Sequence, residues 1–502
     1  MKGREFCWLL LAAVNVVGCS DGNSATSAAT PVSAEAWQSY LAAASQADQI
    51  EDVVQRCLAY PDLPGNQWPE GSAKARCPLL RGPIFSLAEL EATLASADGP
   101  AQLERQFSEV LEAHYADPGQ REAIFFAFSG FDDFEPAERV ARKWYERAPE
   151  SAYAQSALGG VLLGLAGNAR GSAHRWLQQA TPLLQSALLA EPRLSPACMH
   201  LMNIARLTGD AALGESASEH CLRVDPLSWN VRFQWQLGLD PRWRPVGRGE
   251  DPFRKLDESV EALRPLVPQN PALGGMLARG IGMRAYMPIL AGRPARETEE
   301  GLEAASRLAP DPLFIGSAGD AAYEHGDFSK ALAYSSQAIR LAPGNAGFYG
   351  ARANARRKLG DFEGAIVDSR QAIARNNSVG KYHSTLALSL VSLGRTEEAR
   401  EAYHDAMQYP VQRQWAFRRW CETYILGNLQ AREALACTEG LVNDYPDDAE
   451  SHFMRSWVLY ETATEGAAAA ATRFQALADP QDTRHQEMKS ELARLTGQGG
   501  GQ

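Results

Sequence analysis

The nine histidines are scattered along the chain with no HExxH and no HxH pair, so their spacing offers no zinc site. No GxSxG elbow exposes a nucleophilic serine, no GxxxxGK[ST] loop could cradle phosphates, and no GxGxxG turn could meet a dinucleotide. A catalytic thiol would need a histidine or cationic pocket to lower its pKa, and there is no CxxC motif. The cluster Phe131-Asp132-Asp133-Phe134-Glu135-Pro136 could bind calcium, but it reads better as a helix start, with Pro in the first turn and acids complementing the helix dipole. Paired glycosidase carboxylates would leave no local signature. Two aromatic and basic stretches remain. Trp229, Phe233, Trp235 and Trp243 with Arg242 and Arg244, and Trp415, Phe417 and Trp420 with Arg413, Arg418 and Arg419, could stack sugars or grip anionic envelope polymers. Their helical spacing favours packing between helices. No cofactor or metal is expected.

The elements that position these residues follow from composition and pattern. The 502 residues are 45% hydrophobic and 22% charged, enough for a large core, and 49 basic against 61 acidic residues give a net charge of −12. That sign argues against nucleic acid as a partner, because binding to a phosphate backbone needs clustered cations.

At the N-terminus, Lys2 and Arg4 precede an apolar run from Phe6 to Val17 that is too short to span a bilayer, and Val16-Val17-Gly18-Cys19 follows. This resembles the lipobox of bacterial lipoproteins. The resemblance implies a signal peptide at 1–18, acylation of Cys19 and attachment through several chains to the cell envelope. Ser20 at the next place implies the outer membrane, with the body facing the periplasm. Residues 19–34 read as a flexible tether. Loss of Lys2, Arg4 and Glu5 with the signal would leave the mature chain at −13.

Self-similarity organises the rest. GDFSKALAYSSQAI (326–339) and GDFEGAIVDSRQAI (360–373) agree at eight places with an offset of 34 residues. The period continues through Gly326, Gly360 and Gly394, through Ala331, Ala365 and Ala399, and through Ala338, Ala372 and Ala406. Gly suits the tight turn between two helices, Ala lets helices approach closely, and Pro343 stops a second helix. The pattern resembles the tetratricopeptide repeat (TPR), which implies an all-α solenoid of helical hairpins in a right-handed superhelix. Units are read at 312–345, 346–379 and 380–411 within 291–411, where RLAP at 307–310 echoes RLAP at 340–343 around a divergent copy with Gly292 in its turn. Divergent hairpins are expected at 151–290, including 195–228 with its turn at Gly209-Asp210. More are expected at 412–496, with a turn at 427–430 and a hairpin at 449–478. Residues 35–150 read as an N-terminal helical module and 497–502 as a tail. WYERAPES (144–151), AGNARG (166–171) and LDPRW (239–243) make 80–245 resemble an uncharacterised bacterial domain family associated with such repeats, although Arg244-Pro245 departs from its pattern.

Beyond Cys19, export leaves Cys57, Cys77, Cys198, Cys221, Cys421 and Cys437, an even count that invites disulfides. In an antiparallel hairpin, residues equidistant from the turn face one another. Cys198 and Cys221 centre on Gly209-Asp210, Cys421 and Cys437 centre on Leu429, and Cys57 with Cys77 would clamp the Pro/Gly-rich loop between them. The alternative is six buried thiols.

The repeat resemblance implies that places 2, 5, 6, 9, 12 and 13 of each unit line a concave face. In register these include Asp320, Tyr323 and Glu324, then Asn354, Arg357 and Lys358, then Lys381 and Ser384, a mixed surface with a basic middle. Of the Lys/Asn/Asn/Lys/Arg clamp that grips chaperone C-termini in this family, only Asn354 and Lys381 have counterparts. Gly316, Asp320, Gly350 and Ala351 do not fit it. The expected function is an envelope-anchored, non-catalytic scaffold that binds a protein or peptide segment in this groove. The alternative is a polysaccharide or peptidoglycan binder or enzyme that uses the Trp/Arg-rich region.

Overall fold

The computed structural model describes residues 32–168, 173–243, 250–425 and 429–495, so Cys19, the signal, most of the tether, Arg244 and the 497–502 tail lie outside the described residues. Among the described residues there are helices and no strands. The architecture is all-α, of the TPR-type helical-hairpin kind, with helices packed in successive pairs.

The Gly-Asp dipeptides explain the hairpins. Gly209, Gly326 and Gly360 adopt φ between +73° and +84°, the left-handed conformation that ends one helix without a Cβ penalty. The Asp that follows caps the next helix. Asp210, Asp327 and Asp361 accept from the backbone N–H groups of Leu213, Lys330 and Gly364. Two residues thus stop one helix and start another. The results are Ser195–Thr208 with Ala211–Val224, Pro312–Glu324 with Phe328–Leu341, and Ala346–Lys358 with Phe362–Arg375; Gly380–Ser392 and Thr396–Met407 form a fourth pair around Gly394-Arg395, where the glycine turn is kept without an Asp cap. The repeated alanines, from Ala331 to Ala406, are buried at the crossings.

Hairpins before and after these continue the array. Ala152–Asn168 pairs with Ala173–Ala190, Pro410–Ile425 with Ala431–Asp444, and Ala449–Glu461 with Ala467–Leu477, while Thr483–Leu495 packs against Ala449–Glu461 at the end. The three disulfides are Cys57–Cys77, Cys198–Cys221 and Cys421–Cys437, with Cα separations of 5.5, 5.9 and 5.6 Å that suit the bond. The last two join first helix to second helix within one hairpin.

Two different cores share residues 35–150. Residues 90–144 belong to a core that runs on to Val231, whereas Tyr40, Ala44, Tyr60, Leu63 and Ala73 pack with residues 285–341. The first 50 described residues therefore fold back across the outside of the array. Tyr40 meets Gln337 at 3.0 Å, and Trp68 donates to the Ser306 carbonyl at 2.8 Å. Arg340, its side chain sealed from solvent, donates to the carbonyls of Cys57 (2.9 Å) and Pro61 (3.2 Å) and to Asp62 (2.6 Å). Arg352 joins Asp48 (2.7 Å) to Asp368 (2.7 Å). This cover gives equivalent repeat places opposite fates: Ala333 is 0% exposed, and Val367, one period later, is 56% exposed.

Candidate functional site

A seam runs along the first helices of successive hairpins. A Cβ added to Gly282, Gly316 or Gly350 would lie 2.4 Å from the ring of Phe314, Phe348 or Tyr382 respectively. The glycines and the rings each recur every 34 residues, so the glycine of one unit receives the aromatic ring of the next. Ser384 holds the same place in the third unit. It is buried and bonded to Gln412 of the following helix at 3.1 Å, so it lies in the seam rather than on an open groove wall.

The other groove residues divide by partner. Asn354 donates to the Gly350 carbonyl and accepts from Thr385, which ties two units together. Glu324 accepts from the backbone N–H of Arg296, and Tyr323 packs on Phe328. Asp320 keeps solvent contact, yet the crowding of protein around its carboxyl pushes its pKa up to about 6, with Glu324 adding to the effect and Lys381 opposing it. Arg357, Lys358 and Lys381 have no ion-pair partner among the described residues, although Lys358 sits 5.6 Å over the Phe328 ring. Arg352 and Arg356, on the same helix as Arg357, are both bound to Asp368.

The aromatic and basic stretches are mostly packed. Trp229 stacks on Phe233 at 4.8 Å, with Arg76 over the former and Arg279 over the latter. Trp415, Phe417 and Trp420 pack against the cores of the C-terminal hairpins, Arg418 pairs with Glu450, and Arg419 pairs with Glu422 at 2.6 Å. Arg413 donates to the Met407 carbonyl. Trp243 keeps 42% of its surface, with Arg206 at 4.7 Å from its ring, and Arg242 is tied to Asp240. Asp133 precedes the helix Phe134–Arg147, with Glu135 in its first turn.

A buried polar chain joins His114, Asp225, Ser195 and Tyr115. The His114 ring accepts from the Glu122 N–H at Nδ1 (3.0 Å), so Nε2 donates to Asp225 (2.9 Å), to which Ser195 also donates (2.8 Å). The serine hydroxyl is held by the carboxylate and not by the imidazole, and Ser195 is 0% exposed, so no substrate can reach it in this arrangement. Glu122 in turn caps the helix Trp229–Gly238 through the Trp229 N–H and Ser228. This is a structural lock between hairpins. No group of three or more His, Cys, Asp or Glu side chains suited to a metal occurs among the described residues.

A feature that no sequence motif reveals is a cavity of about 610 Å³ on the inner face of the N-terminal hairpins. The helix Ala152–Asn168 presents Gly160 and Gly164 to it, the helix Ser195–Thr208 presents His200, Asn203 and Arg206, and Phe125, Asp132, Phe134 and Trp229 complete the walls. The signal was present as spacing: Ser156, Gly160, Gly164 and then Gly167 fall on one helical face, as do His200, Asn203 and Leu207.

These features define an array of TPR-type helical hairpins. No family model matches the chain, and no curated protein matches it. Solved structures similar to it include YrrB, described as a TPR protein with an unusual peptide-binding site, at 15% identity over 37% of this chain and 96% of that chain, with a TM-score of 0.30. A thermophilic TPR protein of Thermus thermophilus, TTC0263, is similar at 18% identity over 36% and 98%, with a TM-score of 0.29. The TPR domain of P58(IPK) is similar at 14% identity over 80% and 99%, with a TM-score of 0.26. Superpositions this loose decide nothing about function, and the hairpin architecture rests on the 34-residue register and the packing above.

Proposed function

We propose that this chain is a non-catalytic interaction scaffold, tethered to the cell envelope through acyl chains on Cys19, that binds a protein segment against its inner surface at residues 312–384. The observation that supports the reading is the cations: Arg357, Lys358 and Lys381 stand on successive first helices with no salt bridge among the described residues, and Lys358 lies 5.6 Å over the Phe328 ring. Unpaired cations next to aromatic rings fit an extended segment that carries carboxylates. The test is crosslinking in the native host, comparing the wild type with the triple variant Arg357→Glu/Lys358→Glu/Lys381→Glu. The variant should lose the crosslinked partner; retention of the same partner at the same yield would remove this groove from the account. Anchoring is tested separately by acyl labelling, which should vanish in Cys19→Ala. The glycan-binding alternative keeps one accessible ring, Trp243. Under it, Trp243→Ala would abolish capture and the charge reversal would not.

A further inference from the structure

We infer that the cavity of the N-terminal hairpins is a second site, separate from the 312–384 groove, for a small zwitterion with an apolar body: an α-amino acid or short peptide whose free amine meets Asp132 and whose free carboxylate meets Arg206. The volume, about 610 Å³, lies within the roughly 300–1,000 Å³ usual for small-molecule sites. A sphere of that size is about 10 Å across, the extended reach of a tripeptide at about 3.3–3.6 Å per residue.

Charge selects the ligand class. Asp132, on the wall before the helix Phe134–Arg147, is open to solvent at the cavity and has no side-chain hydrogen bond or ion pair among the described residues, and the protein around its carboxyl raises its pKa. Arg206, from the helix Ser195–Thr208, also has no carboxylate partner. It reaches Asn203 at 2.5 Å and stacks on Trp243 at 4.7 Å, which holds it in place, while the nearby Asp240 is taken by Arg242. The two charges line one cavity without bridging each other. His200, which also lines the cavity and whose pKa burial lowers to about 4, is uncharged at neutral pH. A simple anion would meet Asp132 and a simple cation would meet Arg206, so each is penalised by one wall; a molecule with both charges satisfies both. Phe125, Phe134, Met199 and Trp229 supply the apolar wall for its body.

Gly160 and Gly164 keep this cavity from closing. A Cβ on Gly160 would lie 2.9 Å from the His200 ring, and one on Gly164 would lie 2.4 Å from Phe134. Those two rings therefore lie flush against the helix backbone and leave the space in front of them open.

The experiment is isothermal titration of the full chain with three probes: Leu-Phe, N-acetyl-Leu-Phe and Leu-Phe-amide. Leu-Phe should bind, and each cap should weaken binding at least tenfold. Asp132→Asn should weaken Leu-Phe as much as acetylation does, with no further loss for the acetylated probe; Arg206→Gln should match the amide in the same way. Absence of binding by free Leu-Phe at millimolar concentration would overturn the assignment, as would equal affinity for all three probes. The capped probes decide the matter on wild-type protein, so the outcome does not depend on how well either variant folds.

Discussion

The seam of glycines and rings allows one substitution to be compared at three equivalent places. In Gly282→Ala the new Cβ would meet three atoms of the Phe314 ring at 2.4 to 2.5 Å, against the roughly 3.5–4.0 Å of a comfortable carbon contact. Phe314 is 0% exposed, in a core with Leu256, Met276 and Met283, so its ring cannot swing away. Overpacking of this kind costs about 1–3 kcal/mol. Alanine in a helix interior returns about 0.8–1.0 kcal/mol of propensity. The balance for Gly282→Ala is a destabilisation of about 0–2 kcal/mol. At Gly316 and Gly350 the opposing rings, Phe348 and Tyr382, are only half-buried and can tilt toward solvent. The two terms there nearly cancel. Because the propensity gain is common to all three variants, the difference between Gly282→Ala and the other two reports ring confinement alone. Urea unfolding followed by circular dichroism measures it, and hydrogen exchange over Arg279–Leu290 localises it. Equal midpoints for all three, or Gly282→Ala as the most stable, would refute the argument.

Asp368→Asn should cost about 1.5–3 kcal/mol, because it removes the charged acceptor of Arg352 and Arg356 in a buried site while Asp48 still holds Arg352, and thermal melting reads this directly. The variant Cys198→Ser/Cys221→Ser should lose about 2–4 kcal/mol of stability, and reductant should destabilise the wild type but not further lower the melting temperature attributable to this hairpin in the variant. Asp320 has a folded-state pKa of about 6, above the unfolded carboxylate value, so its carboxyl favours the folded state most when protonated and loses that contribution as pH rises through about 6. The wild type should therefore gain melting temperature relative to Asp320→Asn as pH falls from 7 to 4, and an opposite slope would remove Asp320 from the crowded inner face. Replacing Arg340 with Met should leave the carbonyls of Cys57 and Pro61 and the Asp62 carboxylate without their donor, and limited proteolysis should then cut within residues 34–80 before the array unfolds.

The candidate sites were legible to different depths. Lys381, Arg357 and Lys358 were assigned to one face through the repeat resemblance and its register, and the structure sets them on successive first helices without a salt bridge among the described residues. Ser384, at an inner place by the same count, lies in the seam, since the next helix brings Gln412 onto it. The count says which way a residue points and nothing about what arrives from the next unit. The cavity near Asp132 and Arg206 left only the spacing of two of its helices in the sequence, for a related reason: its walls come from Leu79 and from residues 125 to 230 on five α-helices, and no single stretch carries the set.

From its sequence alone, this protein's hairpin period, its Gly-Asp turns and its proline stops were determined, because each depends on residues within about one unit of one another, and the same spacing offered the three cysteine pairings that the structure chose over free thiols. Only the tertiary structure decided that residues 34–80 return to cover the helix Phe328–Leu341, through contacts such as Tyr40 with Gln337 that are 297 positions apart. Such a contact has no period and no spacing rule. It exists because the cover buries Ala333, Gln337 and Arg340, and burial is settled by whichever surfaces meet once the whole chain has folded.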